Sequence, residues 1–227
     1  MTQYKYETHL HTAEVSRCAK HSAEEFVRFY NERGYTGIFI TDHFFNGNTT
    51  VPPDLPWVQR VDLFCRGYEH AAAEGAKTGL DVFFGWEYSY DWAHLLTYGL
   101  DREWLLAHPD LLEWPVLDYL DRVHADGGFI VHAHPFREKI QILHLFPGRI
   151  DAVEVLNSGR SDDANRHALD YAESFRLPQT AGSDIHSTGM TRLSGVLSKR
   201  RFSSAADYPA AVIAGETEIF EDFAEKA

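Results

Sequence analysis

Three pairs of ligand-type residues stand two apart in this sequence: His9 and His11, His132 and His134, Asp184 and His186. In an extended strand, residues two apart point to the same side, so each pair can aim both side chains at one place. Asp42-His43 and Glu87 join them, each just past a short apolar run. A lone buried histidine is usually a hydrogen-bonded core residue, but packing does not explain three such pairs in one chain. Imidazole is the commonest protein ligand for divalent transition metals and an acid or base near neutral pH. Together His9, His11, His43, Glu87, His134, Asp184 and His186 form a mixed imidazole and carboxylate set, which favours Zn, Mn or Fe over Ca or Mg. The histidines elsewhere, His21, His70, His108, His124, His144 and His167, read as surface or structural.

The elements that must position this set alternate. Ser22-Ala23-Glu24-Glu25 reads as a capping box, followed by Phe26, Val27 and Tyr30 at helical spacing and Gly34 as a stop. Residues 37–41 are a short β-type apolar run of the kind buried on both faces. The pattern recurs: a helical stretch over 63–77, a run at 82–84, a helix near Pro115 with Leu117, Leu120 and Val123 inward, and a run at 129–131. A strand over 150–156 follows, then a helix with Ala164, Ala168, Ala172 and Phe175 on one face, and a strand end at 179–182. Such alternation predicts right-handed βαβ units and a parallel sheet. A closed barrel is expected over an open sheet, because a barrel brings distant strand ends onto one axis at its carboxyl face. Residues 46–57, with Asn-Gly-Asn and Pro52-Pro53, read as a long loop of the kind that often carries binding function.

With 44% hydrophobic residues the chain can bury one sizeable core, so a single domain over 1–227 is expected. The net charge of −13, with no Lys/Arg run, repels a nucleic-acid backbone and argues against that class of partner. Two cysteines, Cys18 and Cys65, are too few for a disulfide framework and suit a reducing compartment. Residues 1–6 lack the basic and apolar blocks of a signal peptide, and no apolar run approaches membrane-spanning length, so the expectation is a cytoplasmic protein without a membrane partner.

Four blocks carry a family likeness: Thr8-His9-Leu10-His11-Thr12, Ile40-Thr41-Asp42-His43, Ala133-His134-Pro135 and Gly182-Ser183-Asp184-Ile185-His186. In this order the chain resembles the PHP family, named for polymerase and histidinol phosphatase. The resemblance implies a distorted, TIM-like, seven-stranded parallel α/β barrel holding two to three divalent ions. By that likeness His9, His11, Glu87 and Asp184 hold a first ion, and Glu87 bridges to a second completed by His134 and His94. A third would use His43 and His186 with an Asp or His five or six residues after the first motif. Here those positions are Ser16 and Arg17, so the third site is completed by water, phosphate, Cys18 or His21, or is absent.

The implied reaction is hydrolysis of a phosphomonoester by a metal-bound hydroxide, with His43 or His186 protonating the leaving alkoxide if the third ion is missing. Arg137 and Arg160, just past strand ends, are the expected holders of phosphate oxygens. Asp42, His132 and Asn157, with Glu154 nearby, are expected to orient ligands by hydrogen bonds. The expected substrate is a small phosphorylated metabolite such as histidinol phosphate or a nucleotide. Phosphodiester or nucleic-acid-end hydrolysis and a non-catalytic metal-binding barrel are the alternatives.

Overall fold

Local signals set the first βαβ unit of the computed structural model, which describes residues 3–223. β1 (Tyr4–Leu10) leads to α1 (Ala23–Glu32), where Ser22 Oγ accepts from Glu25 N and the Glu25 carboxylate accepts from Ser22 N. That reciprocal cap satisfies two orphan helix donors. Gly34 ends the turn at φ +70°, and β2 (Gly37–Ile40) runs parallel to β1. α2 (Trp57–Phe64) and α3 (Arg66–Thr78) follow, divided at Cys65 where one continuous helix was expected.

β3 (Asp81–Tyr90) pairs parallel with β2 and then turns at Asp91 and Trp92 into β4 (Ala93–Tyr98). A two-residue connection permits only an antiparallel neighbour. β4 is accordingly antiparallel to β3 and to β5 (Phe129–Ala133). Between them lie α4 (Arg102–Ala107), a 3₁₀ turn (Leu111–Glu113) and α5 (Val116–Ala125). β6 (Ala152–Asn157), α6 (Asp162–Phe175) and β7 (Gln179–Gly182) continue the parallel pattern. β8 (Arg192–Ser198), α7 (Asp207–Ile213) and β9 (Thr217–Phe223) complete the described residues. Among the described residues, no helix is long and apolar enough to cross a membrane.

Among the described residues the result is one mixed nine-stranded sheet, ordered β7-β6-β5-β4-β3-β2-β1-β8-β9, curled into a nearly closed barrel. It replaces the expected seven parallel strands. β1 divides its outer edge: Tyr4, Lys5 and Tyr6 pair antiparallel with β8, while Leu10 bridges Ile185 just past β7. Glu7, buried on the helix side, stitches this seam, accepting from His9 N and Ser183 N at 2.8 Å each and from the Tyr30 hydroxyl at 2.6 Å.

Inside, Tyr6, Phe39, Phe83, Tyr98 and Phe129 pack with Phe202 and with Tyr208, Ala211 and Val212 of α7, so the amino-terminal end of the barrel is plugged. Outside, the helices bury a second apolar layer. Leu117 and Phe175 do not join it; they are exposed on α5 and α6, whose inward faces are filled by Tyr119, Leu120 and Val123 and by Ala168, Tyr171 and Ala172.

Candidate active site

Strict alternation along β1 would put Tyr6 and His9 on opposite faces. A register irregularity between Glu7 and Leu10 lets both face inward. His9 and His11 therefore sit fully buried below the open end of the barrel with their Nε2 atoms 3.1 Å apart. Glu87, inward on β3, is the hub above them. Its Oε1 lies 2.6 Å from His94 Nδ1, 3.2 Å from His134 Nε2 and 3.5 Å from His9 Nε2. Its Oε2 lies 2.5 Å from His43 Nδ1 and 3.6 Å from His11 Nε2. Asp184 Oδ1 faces His11 Nε2 at 3.2 Å and His9 Nε2 at 3.5 Å. His186 Nδ1 stands 3.7 Å from the same Asp184 oxygen, so all eight expected ligands converge.

The electrostatics follow from that crowding. Burial would raise the Glu87 carboxyl, but the imidazoles of His94 and His43 outweigh it and hold the group well below the usual range. Asp184 is likewise pushed up by burial and brought well below its ordinary value by His9, His11 and His134. Burial takes His134 down to about 4, leaving a neutral ring with a lone pair. Two buried carboxylates ringed by imidazole nitrogens are the donor set of a divalent transition metal, which would take the place of the protons that these rings share with the carboxylates. Glu87 Oε2 has no aligned hydrogen-bond partner, which buried carboxylates rarely tolerate. Donor atoms close enough together to hold an ion occur here in overlapping groups, among them His9, His11 and Asp184; Glu87, His94 and His134; His11, His43 and His186; and His9, His134 and Glu154.

One of the three pairs does not act as expected. His132 faces the helix layer, where its ring meets Phe146 and Tyr171, and no hydrogen bond among the described residues joins it to the cluster. The strand alternates normally, with Val131 and Ala133 inward. His134 reaches the site because its backbone turns left-handed, at φ +29°, directly after β5. Asp184 uses the same device at φ +53°. Such conformations cost of order 1 kcal/mol and persist where surrounding structure enforces them.

A supporting layer fixes the ligands. Glu154 on β6 takes the Nδ1 side of His9 at 2.9 Å and the His134 backbone N–H at 3.0 Å. With its Nδ1 held, His9 presents Nε2 to the centre. Asn157 donates to Glu154 at 2.8 Å, one step further from the ligands than expected. Asp42 accepts from Thr12 N, Thr12 Oγ1 and Ser16 Oγ at 2.6–2.7 Å. Ser16 Oγ in turn meets His11 Nδ1 and the His43 N–H. Ser16, read from the sequence only as a missing ligand, is a brace. Gly182 and Gly67 also escaped notice. A Cβ on Gly182 would lie 2.5 Å from that of His9, and one on Gly67 2.3 Å from Thr12 Oγ1.

The cavity above the cluster measures about 440 Å³. Asn46, Gly47 and Asn48 form part of its wall, so the start of the 46–57 loop is a lining segment. Arg137 and Arg160 line it too. The Arg160 guanidinium is paired to Asp184, and the Nε atoms of both arginines are buried without a partner. Cys18 stands at the rim, 3.2 Å from His43 Nε2. Burial would raise its thiol, yet hydrogen bonds with His186 and His43 bring it to about 6.

No family model matches this sequence, and no curated relative does. Solved structures do. A two-domain protein from Bacteroides vulgatus containing a predicted PHP-like metal-dependent phosphoesterase superposes with a TM-score of 0.71 at 17% identity, over 96% of this chain and 65% of that one. The chain has the PHP-like fold. A proposed metal-dependent phosphoesterase from Bifidobacterium adolescentis shares this PHP-like fold at TM-score 0.59 and 15% identity, over 94% and 96% of the two chains. The lesion-specific endonuclease of Pyrococcus furiosus does so at 0.64 and 13%, over 96% of this chain and 58% of its own. This chain therefore spans under two thirds of the Bacteroides and Pyrococcus proteins.

Proposed function

We propose that this chain hydrolyses phosphate esters with divalent metal ions, and that its substrate is a phosphomonoester of a small metabolite such as histidinol phosphate or a nucleotide. The observation that carries the reading is the Glu87 hub: one buried, ionised carboxylate within 3.6 Å of five imidazoles on four strands or strand ends. A cation shared between sites accounts for so many imidazole nitrogens turned toward one carboxylate. His9, His11, Glu87 and Asp184 would hold one ion, and Glu87, His94 and His134 a second. The chemistry such ions supply is Lewis acidity, which makes water nucleophilic near neutral pH and compensates phosphate oxygens.

The chain's own residues do the rest. Arg137 and Arg160 offer buried donors to the non-reacting phosphate oxygens, and the planar guanidinium suits that group. His43 and His186 line the outer wall and hold the proton for the leaving oxygen where no third ion engages them. A cavity of about 440 Å³ suits a small metabolite rather than a duplex. The likeness to an endonuclease favours phosphodiester cleavage as a second reading, and the net charge of −13 opposes it.

Elemental analysis of the purified chain, paired with phosphate release from a panel of monoesters and an oligonucleotide, with and without chelator, tests this. About two or more metals per chain with chelator-sensitive release from a monoester is expected. Faster oligonucleotide cleavage would move the substrate to the second reading, and bound metal without any release would leave a non-catalytic binding barrel.

A further inference from the structure

Four residues near the rim offer themselves as the missing partner of His43 and His186, and the structure disposes of three. Ser16 Oγ is already donating to Asp42 and accepting from the His43 N–H. Arg17 turns away, its Nε bonded to the Thr49 carbonyl at 2.6 Å. His21 is held at both ring nitrogens by Thr188, at 3.3 and 3.2 Å. Cys18 remains, its sulfur 3.2 Å from His43 Nε2 and on the same cavity wall as His186.

We propose that Cys18, His43 and His186 form a thiolate-containing metal site beside the carboxylate-bridged pair, one that selects Zn or another thiophilic divalent ion. A tetrahedral ion with a sulfur at about 2.3 Å and an imidazole nitrogen at about 2.0 Å spaces those two atoms roughly 3.6 Å apart, within a few tenths of the distance seen. His43 is nine-tenths buried, its Nδ1 turned to Glu87 Oε2 at 2.5 Å, which leaves Nε2 to face the Cys18 sulfur. The loop is held in place independently of the sulfur. Arg17 N–H donates to the Asn48 carbonyl, Thr50 N–H to that of Val15, and Lys20 N–H to that of His186. Cys18 binds as thiolate and His43 and His186 as neutral rings, so any proton that these three groups carry leaves to solvent as the ion enters. Soft sulfur here, against oxygen and nitrogen at Glu87 and Asp184, gives neighbouring positions different metal preferences.

The inference rests on the chain binding metal at all, and the test separates the two. Metal-stripped full-length protein, kept reduced and anaerobic, is titrated with Co(II) while absorbance and bound cobalt are followed. Wild type and Cys65→Ser should develop sulfur-to-cobalt charge-transfer absorbance in the near ultraviolet. Cys18→Ser should lose that band and one bound equivalent while keeping the ligand-field bands of the remaining cobalt, which also show that it has folded. Cobalt loading of wild type should slow alkylation of Cys18 by iodoacetamide, read by mass spectrometry. Cobalt bound without the charge-transfer band, a band that survives Cys18→Ser, or unchanged alkylation overturns the Cys18 site and leaves the Glu87 centre standing. No cobalt bound at all removes the metal reading itself.

Discussion

At the amino-terminal end of the barrel interior, Tyr6 stacks on Phe202 with centroids 4.1 Å apart, and Tyr208 packs edge-on against Tyr98 at 5.0 Å. At the carboxyl end, the same strands deliver imidazoles and carboxylates whose nearest partners are each other. The aromatic end has complete hydrogen bonding: Tyr6 accepts from Phe202 N–H, Tyr98 donates to the Thr8 carbonyl, and Tyr208 pairs with Thr180. The other end sets Glu87 Oε2 against His43 Nδ1 at 2.5 Å without good alignment, leaves the Nε atoms of Arg137 and Arg160 without a hydrogen-bond partner among the described residues, and departs from regular backbone at His134 and Asp184. One interior is thus divided into a part that stabilises and a part that is held ready by what surrounds it. Substitutions at the two ends should separate activity from stability.

Glu87→Gln gives the largest expected effect, a loss of kcat/KM well beyond about 100-fold, since it exceeds what removing a mere supporting group costs. Melting temperature without metal should change little; a variant that kept wild-type turnover would remove Glu87 from the site. At the opposite end, Tyr208→Ala should cost about 3–5 kcal/mol of stability through the cavity it leaves. Denaturant unfolding measures this, and KM at a temperature where the variant is folded should stay unchanged. A shifted KM would mean that the two ends are coupled.

Glu154→Gln sharpens the boundary between them. It should weaken metal binding by about 10–100-fold, read by competition with a chelator, because His9 and His134 lose the group that orients them. Equal affinity would make Glu154 a packing residue. The smallest effect lies outside both ends, at His124, whose Nε2 lies 2.8 Å from Asp151. Asp151 raises the His124 pKa above its ordinary value. A raised folded-state pKa adds stability that is present below the unfolded value of about 6.5 and is lost as pH rises through the folded one. Wild type should therefore be more stable than His124→Gln near pH 5.5, by at most about 1 kcal/mol after solvent screening, and lose that margin by about pH 8.5. A margin independent of pH would assign it to packing.

The convergence of His9, His11, Glu87, His134 and Asp184 was readable because ligand types past apolar runs mark strand ends whatever the details of the sheet. The capping box at Ser22 was readable because it is local. What escaped depended on distant contacts. His132 and His134 look like a same-face pair until a left-handed residue breaks the alternation, and nothing in Ala133-His134-Pro135 announces that angle. The reversed β4 hangs on a two-residue turn at Asp91 and Trp92, which carry no glycine or asparagine signal. The acidic run Glu216–Asp222 hides β9, whose residues alternate only in relation to the β8 it pairs with. Gly67 and Gly182 are legible only once their neighbours in space are known.

The seam between β1 and the end of β7 has a dynamic meaning. It is joined by two backbone hydrogen bonds, His11 N–H to the Ile185 carbonyl and Ile185 N–H to that of His9, with Glu7 and Thr8 adding side-chain links to Ser183 and Ala181. Other neighbouring strands share longer ladders, so the least costly local opening of the barrel falls here. Amide protons at His9, His11 and Ile185 would then exchange with solvent through a fluctuation that parts the first histidine pair from Asp184. The breathing of the fold and the integrity of its donor set are one motion.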